Sequence, residues 1–161
     1  MIKTKLKRIV LNCLAFIIGI IVAFYSELFF RKQIQNLYKW STSNKIQFTG
    51  KDFYLPGNII HYISFGLAFL IFYLYNKNET ITIILKRFFL NSFIFIITIV
   101  GISYLDANIK LVECTACPNG IRYLRYNEIK YSLITGLSVF LAIFPIIIRL
   151  AKQTNKQINK T

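Results

Sequence analysis

The stretch IVLNCLAFIIGIIVAFYSELFF, residues 9–30, decides the fold of this chain. Its 22 residues include one charged side chain, that of Glu27. A continuous apolar run of about 18 or more residues is typical of a helix that crosses a lipid bilayer. Residues 9–30 therefore predict a transmembrane helix.

Three further stretches, residues 57–75, 88–105 and 131–148, have a similar length and composition. The bilayer core holds no water for free backbone groups, and these stretches lack the alternation of barrel strands, so each is predicted to be a helix. The sequence thus predicts an all-α polytopic membrane protein, with four transmembrane helices in an antiparallel bundle. Residues 1–150 are predicted to form this single domain, and the polar residues 151–161 a disordered tail.

The charge of the chain fits a membrane location. The formal net charge is +14 and 55% of the residues are hydrophobic, but the 20 Lys and Arg residues are spread over loops and tails. Because no basic face is evident, nucleic acid is excluded as a partner, and anionic lipid headgroups are expected instead. Basic residues concentrated before the first span favour cytoplasmic termini. We expect a multi-pass protein of the cell membrane, which in a bacterium with two membranes is the inner one.

Small residues recur in the first span at every fourth position, as Ala15, Gly19 and Ala23. This spacing lets two helix backbones approach closely, so it predicts a helix-packing face. In the simpler interpretation the face packs within the monomer. In the other, it contacts a second protein or a second copy of the chain.

Cys114 and Cys117 form a Cys-x-x-Cys pair in the third loop, just before the Pro-Asn-Gly turn signal at 118–120. On the oxidising side of the membrane, such a pair is predicted to close a disulfide, and redox exchange with a partner is the alternative. A zinc site needs about four ligands. Because Cys13 and His61 are the only other Cys or His residues, we expect neither a metal nor a cofactor.

Four polar residues lie within the predicted spans, namely Glu27, His61, Asn91 and Thr98. An ionisable residue inside a membrane is a candidate functional site, here for a proton or cation. However, Arg31 follows Glu27 at the i,i+4 spacing that favours a local ion pair. The other three side chains are explained more simply by interhelical hydrogen bonds.

The loops carry two further predictions. The short connection at residues 76–79 predicts that the second and third spans form a tight hairpin. In the loop between the third and fourth spans, Arg122 and Arg125 repeat at i,i+3, which predicts a short amphipathic helix at the membrane surface. Its arginines would contact lipid headgroups or, in the alternative, a substrate phosphate.

No catalytic signature accompanies the four spans. The size resembles that of lipoprotein signal peptidases in outline, but Asp52 and Asp106 lack the surrounding motifs of that family's catalytic aspartates. The function expected first is therefore a non-catalytic accessory, immunity or regulatory component that acts through a membrane protein partner or a second copy of itself. The alternatives are a thiol/disulfide protein that uses Cys114 and Cys117, and a small oligomeric transporter or channel protomer.

Overall fold

The computed structural model describes residues 2–50, 59–113 and 117–158. The described chain is mostly helical, with α1 at Ile2–Ser41, α2 at Ile59–Asn76, α3 at Ile81–Val112 and α4 at Tyr131–Ile158. Within the described residues, four helices are long and apolar enough to cross a membrane. The prediction of four long apolar helices is therefore confirmed.

The first helix is longer than its apolar stretch. α1 has 40 residues and continues past Phe30 to Ser41, because Ile34 and Tyr38 keep a buried face on this polar extension. The helix ends where Ser43 and Asn44 adopt positive φ angles of 50° and 61°. The Asn44 amide donates to the Lys39 carbonyl at 2.8 Å, which is a usual way for a helix C-terminus to close.

Two short strands correct the all-α prediction and the predicted amphipathic helix. β1 at Ile46–Thr49 pairs in parallel with β2 at Arg122–Arg125, with Phe48 opposite Leu124. The arginine spacing suited a helix, but β2 has only four residues between two 3-10 turns, at Pro118–Gly120 and Tyr126–Glu128. Such a segment is too short for a stable helix, and pairing with β1 satisfies its backbone instead.

The second and third helices do not form the predicted tight hairpin. α2 packs against α1 and α4, and α3 packs against the same two helices, whereas α2 and α3 hardly approach each other. The sides of α2 and α3 that face each other carry bulky rings, including Phe69, Phe72 and Phe88, rather than the small residues that allow close backbone contact. The prediction was wrong because a short connection holds the two helices close to each other only at the connected ends, and not along their lengths.

The last helix extends into the segment predicted to be a disordered tail. α4 runs to Ile158, so most of residues 151–161 is helical, and only residues 159–161 lie outside the described part. Lys and Gln are good helix formers, and no Gly or Pro follows Pro145 to stop the helix. Polarity alone therefore did not mark the end of α4.

Two buried clusters hold the elements together. One lies beneath the strands and includes Ile34, Tyr38, Ile46 and Leu124. The other joins α1, α2 and α4 and includes Ala23, Phe65 and Val139. Polar residues, including Glu27, Arg31 and His61, lie between these two clusters.

Candidate functional site: a buried polar cluster

A group of polar side chains joins α1, α2 and α4. We call it the polar cluster, and it consists of Glu27, Arg31, His61, Tyr62 and Thr135. Glu27 is buried; its Oε1 lies 3.3 Å from Arg31 Nε, and its Oε2 accepts a 2.6 Å hydrogen bond from the Tyr62 hydroxyl. The predicted Glu27–Arg31 ion pair is confirmed. A buried carboxylate is tolerated when it is paired in this way.

His61 is the buried centre of the same cluster. Its Nδ1 lies 2.8 Å from Thr135 Oγ1, and its Nε2 lies 3.3 Å from the carbonyl oxygen of Ala23. The neutral ring with a proton on Nε2 satisfies both contacts, because Nε2 donates to the carbonyl and Nδ1 accepts from the hydroxyl. His61 therefore links all three helices without a ligand.

The cluster continues toward the strands through Tyr131 at the start of α4. The Tyr131 hydroxyl accepts a 3.0 Å hydrogen bond from Gln35 Nε2, and the Arg31 guanidinium lies 5.0 Å from the centre of the Tyr131 ring. A cation over an aromatic face is attracted by the ring quadrupole. Arg31 is thus held on one side by a carboxylate and on the other by a ring.

The polar cluster is closed. The space among Glu27, Arg31, His61 and their neighbours has about 0 Å³ available to a water-sized molecule. Its polar groups are hydrogen bonded or ion paired with one another, so the arrangement joins helices and leaves no room for a substrate in this conformation. Among the described residues, no three His, Cys, Asp or Glu side chains form a group that could bind a metal ion.

A separate apolar cavity lies between α2 and α3, next to the polar cluster. Its volume is about 340 Å³, and Phe30 lines both this cavity and the polar cluster. The rings of Phe30, Phe65 and Phe95 pack together, with centroids 5.3 to 6.0 Å apart, and form the partition between the two. Asn91 lines the cavity, and its buried Nδ2 has no hydrogen-bond partner in the structure.

The four polar residues predicted as intramembrane candidates do not meet at one place. Glu27 and His61 share the polar cluster, and Asn91 lines the apolar cavity. Thr98 bonds mainly within its own helix, since its hydroxyl lies 2.9 Å from each of the Ile94 and Phe95 carbonyls. The structure therefore does not bring these four side chains together along one polar path.

The small-residue face of α1 lies against α2. A methyl group added at Gly19 would come within 2.6 Å of the Phe65 carbonyl oxygen and 2.8 Å of Gly66 Cα. Ala23 is fully buried, and Ala15 is half-buried. These contacts agree with the simpler interpretation, in which the face packs within the monomer.

The arginines and cysteines of the third loop have different surroundings. Arg122 donates to the carbonyl of Lys110 and lies 3.8 Å from Glu113, so it holds the end of α3, whereas the Arg125 side chain is exposed. Cys114 lies outside the described residues. Cys117 is half-buried and is not a free thiol. The pairing of the two cysteines remains a prediction.

Sequence reasoning missed several partners in this region. Hydrogen bonds from Tyr62, Gln35 and Tyr38 join different helices. The two residues in each of these bonds are 35 to 96 positions apart in the chain, and the partner of Tyr38 is Asp106. A single sequence carries no signal for contacts over such separations. No known family model, curated protein or solved structure matches the chain.

Proposed function

We propose that this chain is a non-catalytic, multi-pass membrane protein that binds another membrane protein, as an accessory, immunity or regulatory component. In this proposal α1 to α4 cross the cell membrane as an antiparallel bundle with both termini in the cytoplasm. The strands β1 and β2 then lie at the opposite surface. The length and apolar character of the four helices support the membrane location.

The observation that carries the proposed binding role is the surface formed by β1 and β2, which we call the platform. Ile46 and Leu124 point inward and are almost completely buried, while Gln47, Tyr123 and Arg125 point outward and are exposed. A two-stranded sheet alone is marginally stable in water. Here it is supported from below by the cluster that contains Ile34 and Tyr38.

The platform has the composition of a binding surface. Tyr and Arg are enriched at the centres of protein interfaces, because they combine a large apolar contact with a polar end. In the part of the chain that the structure describes, each strand has one neighbour, so its other edge is open to a partner strand. A polar surface above apolar helices suits recognition of a protein that shares the membrane.

The polar cluster supports the non-catalytic part of the proposal. Its ionisable side chains already contact one another in a space that excludes water. A catalytic acid, base or nucleophile must instead reach a substrate. The same closure argues against a transport path through Glu27 and His61.

The test is photo-crosslinking in the native membrane. A benzoylphenylalanine at Tyr123 is expected to capture one membrane protein, and the adduct should co-purify in mild detergent. The matched control places the same group at Tyr104 on α3. Tyr104 is 47% exposed and Tyr123 is 55% exposed, so the two positions are similarly accessible. A partner captured at Tyr123 and not at Tyr104 supports the proposal.

Two outcomes would contradict it. If Tyr123 yields no protein adduct and the chain purifies alone, binding through the platform is wrong. If alkaline carbonate releases the chain from membranes, the membrane location itself is wrong.

An adduct of twice the mass of the chain would identify a second copy as the partner.

A further inference from the structure

We propose that the apolar cavity between α2 and α3 binds one acyl chain of an anionic glycerophospholipid, with Asn91 donating a hydrogen bond to the ester carbonyl of that chain. This inference rests on the membrane location proposed above and not on the platform or its partner. It goes beyond the general contact of a membrane protein with lipid, because it assigns one built site to one lipid chain.

The size and lining of the cavity fit an acyl chain. Its volume of about 340 Å³ lies within the range of about 300–1,000 Å³ that is common for small-molecule sites. Rings from both helices line it, including Phe69 and Phe72 on α2 and Phe88 and Phe95 on α3. Ala68 and Ala142 also line the cavity, and their small side chains leave its space unfilled. A flexible hydrocarbon fills an apolar space of this size.

The cavity lies where lipid can enter from the side. α2 and α3 each pack against α1 and α4 but hardly contact each other, so the space between them faces the bilayer. Phe72 and Phe88 flank it near the α2–α3 connection, with ring centroids 6.3 Å apart. Phe65 and Phe95 close the other end, with centroids 6.0 Å apart.

Asn91 supplies a polar contact in the wall of the cavity. Its Nδ2 is buried and has no hydrogen-bond partner in the structure, although buried donors are nearly always paired. A bare hydrocarbon would leave this donor unsatisfied. An ester carbonyl is an acceptor without a donor of its own, so it matches the unpaired NH2 group of Asn91.

The depth of Asn91 also matches an ester carbonyl. Arg87 lies four residues before Asn91, one helical turn or about 6 Å along α3. The Arg87 side chain donates to Asn76 Oδ1 at 2.8 Å, contacts Glu79 at 3.1 Å and stacks on the Tyr75 ring at 4.4 Å. Such a polar and aromatic group marks the headgroup level of the membrane. Ester carbonyls lie just below that level.

Charge at the same level favours an anionic headgroup. Lys77 and Lys86 are exposed beside the Arg87–Glu79 pair, so the residues around the α2–α3 connection carry three positive charges against one negative charge. Cationic side chains at the membrane surface attract anionic lipid. The lipid phosphate would therefore lie beside these residues while its chain occupies the cavity.

The experiment uses the full chain in lipid vesicles that contain a phosphatidylglycerol probe with a diazirine on its acyl chain. After illumination, mass spectrometry is expected to map adducts to cavity residues such as Phe69 and Phe88. Asn91→Leu should lower labelling about fivefold, as expected for one lost hydrogen bond, without lowering the thermal unfolding midpoint. Ala142→Leu should fill the cavity and remove the adducts.

The controls separate a built site from general lipid contact. Asn108→Leu changes the same residue type on the same helix, where Asn108 bonds to the Tyr104 carbonyl of its own helix. Leu141→Phe enlarges a neighbour of Ala142 that is 39% exposed on the outer face of α4. Both variants are expected to label like the wild type. A phosphatidylcholine probe with the same chain should label the cavity less.

The lipid site is overturned if adducts occur only on the outward-facing Phe89 and Phe93, if Asn91→Leu and Ala142→Leu label like the wild type, or if both headgroups label equally. Flotation of the vesicles distinguishes this failure from failure of the proposed function. If the chain does not float with lipid, the membrane location is wrong and the lipid site with it. If it floats without cavity adducts, the lipid site alone is wrong.

Discussion

The Tyr62 hydroxyl donates a 2.6 Å hydrogen bond to Glu27, and so joins α2 to α1 at the carboxylate that also pairs with Arg31. One buried negative charge is thus shared between a hydroxyl and a guanidinium. Removing either charged group takes an ion-pair partner from the other in a largely buried site, which is costly where the dielectric constant is low. The polar cluster therefore stabilises the packing of α1, α2 and α4 as a unit.

Glu27→Ala is expected to lower the free energy of unfolding by about 3–5 kcal/mol, because it removes the carboxylate that pairs with the mostly buried Arg31 side chain. Unfolding of the purified protein in mild detergent would measure this change. Combining Glu27→Leu with Arg31→Met removes both charges and should recover most of the loss.

The control for this prediction is Glu113→Ala. Glu113 lies 3.8 Å from Arg122 and its side chain is 60% exposed, so its loss should cost at most about 1 kcal/mol. If Glu27→Ala and Glu113→Ala have equal effects, the polar cluster does not stabilise the bundle as described.

Thr135→Val is expected to lower the free energy of unfolding by about 1–3 kcal/mol. The change keeps the shape of the side chain but leaves His61 Nδ1 without its 2.8 Å partner in a buried site. Thr98→Val is the control, because the Thr98 hydroxyl bonds mainly to carbonyls of its own helix. Urea or thermal unfolding in micelles would compare the two, and a loss no larger for Thr135→Val than for Thr98→Val would contradict the role of His61 as an interhelical link.

The sequence predicts the four helices because each depends on a local property, a long apolar run. It also predicts the Glu27–Arg31 pair, because four residues of helix fix that distance. It does not predict β2. A four-residue segment with arginines at i,i+3 fits a helix as well as a strand, and only its pairing with Ile46 and the neighbouring residues of β1 makes it a strand. The strand is decided by a contact across more than 70 residues of sequence.

The candidate site follows the same division. Glu27 and His61 are recognisable as unusual residues in apolar helices, but their partners Tyr62 and Thr135 are ordinary residues made important by packing. Asn91 is recognisable in the same way, yet the cavity beside it arises because α2 and α3 separate, which no local pattern predicts.

Gly19→Ala is expected to lower the free energy of unfolding by about 1–3 kcal/mol, because the added methyl group would overlap the Phe65 carbonyl and force α1 away from α2. Gly101→Ala is a matched control within a helix, since nothing lies within 4 Å of a methyl group at that position. There the change should be neutral or stabilise the protein by up to about 1 kcal/mol. Equal effects at the two glycines, measured by thermal unfolding, would contradict close packing of α1 on α2.

Tyr38→Phe is expected to loosen the platform. The buried Tyr38 hydroxyl donates to Asp106, and this bond holds α1 to α3 below the strands. The Tyr38 carbonyl accepts a 2.7 Å hydrogen bond from Thr42 Oγ1, which in turn accepts from the Ile46 amide at 3.3 Å, so the position of Tyr38 is linked directly to the start of β1.

Loss of a hydrogen bond to a charged group costs about 1.5–3 kcal/mol. Tyr38→Phe should therefore speed tryptic cleavage after the exposed Arg125 and weaken partner capture at Tyr123, while the bundle stays folded. Tyr25→Phe is the control, because Tyr25 is 79% exposed on the same helix. Cleavage at the same rate in both variants would show that the Tyr38–Asp106 bond does not hold the strands in place.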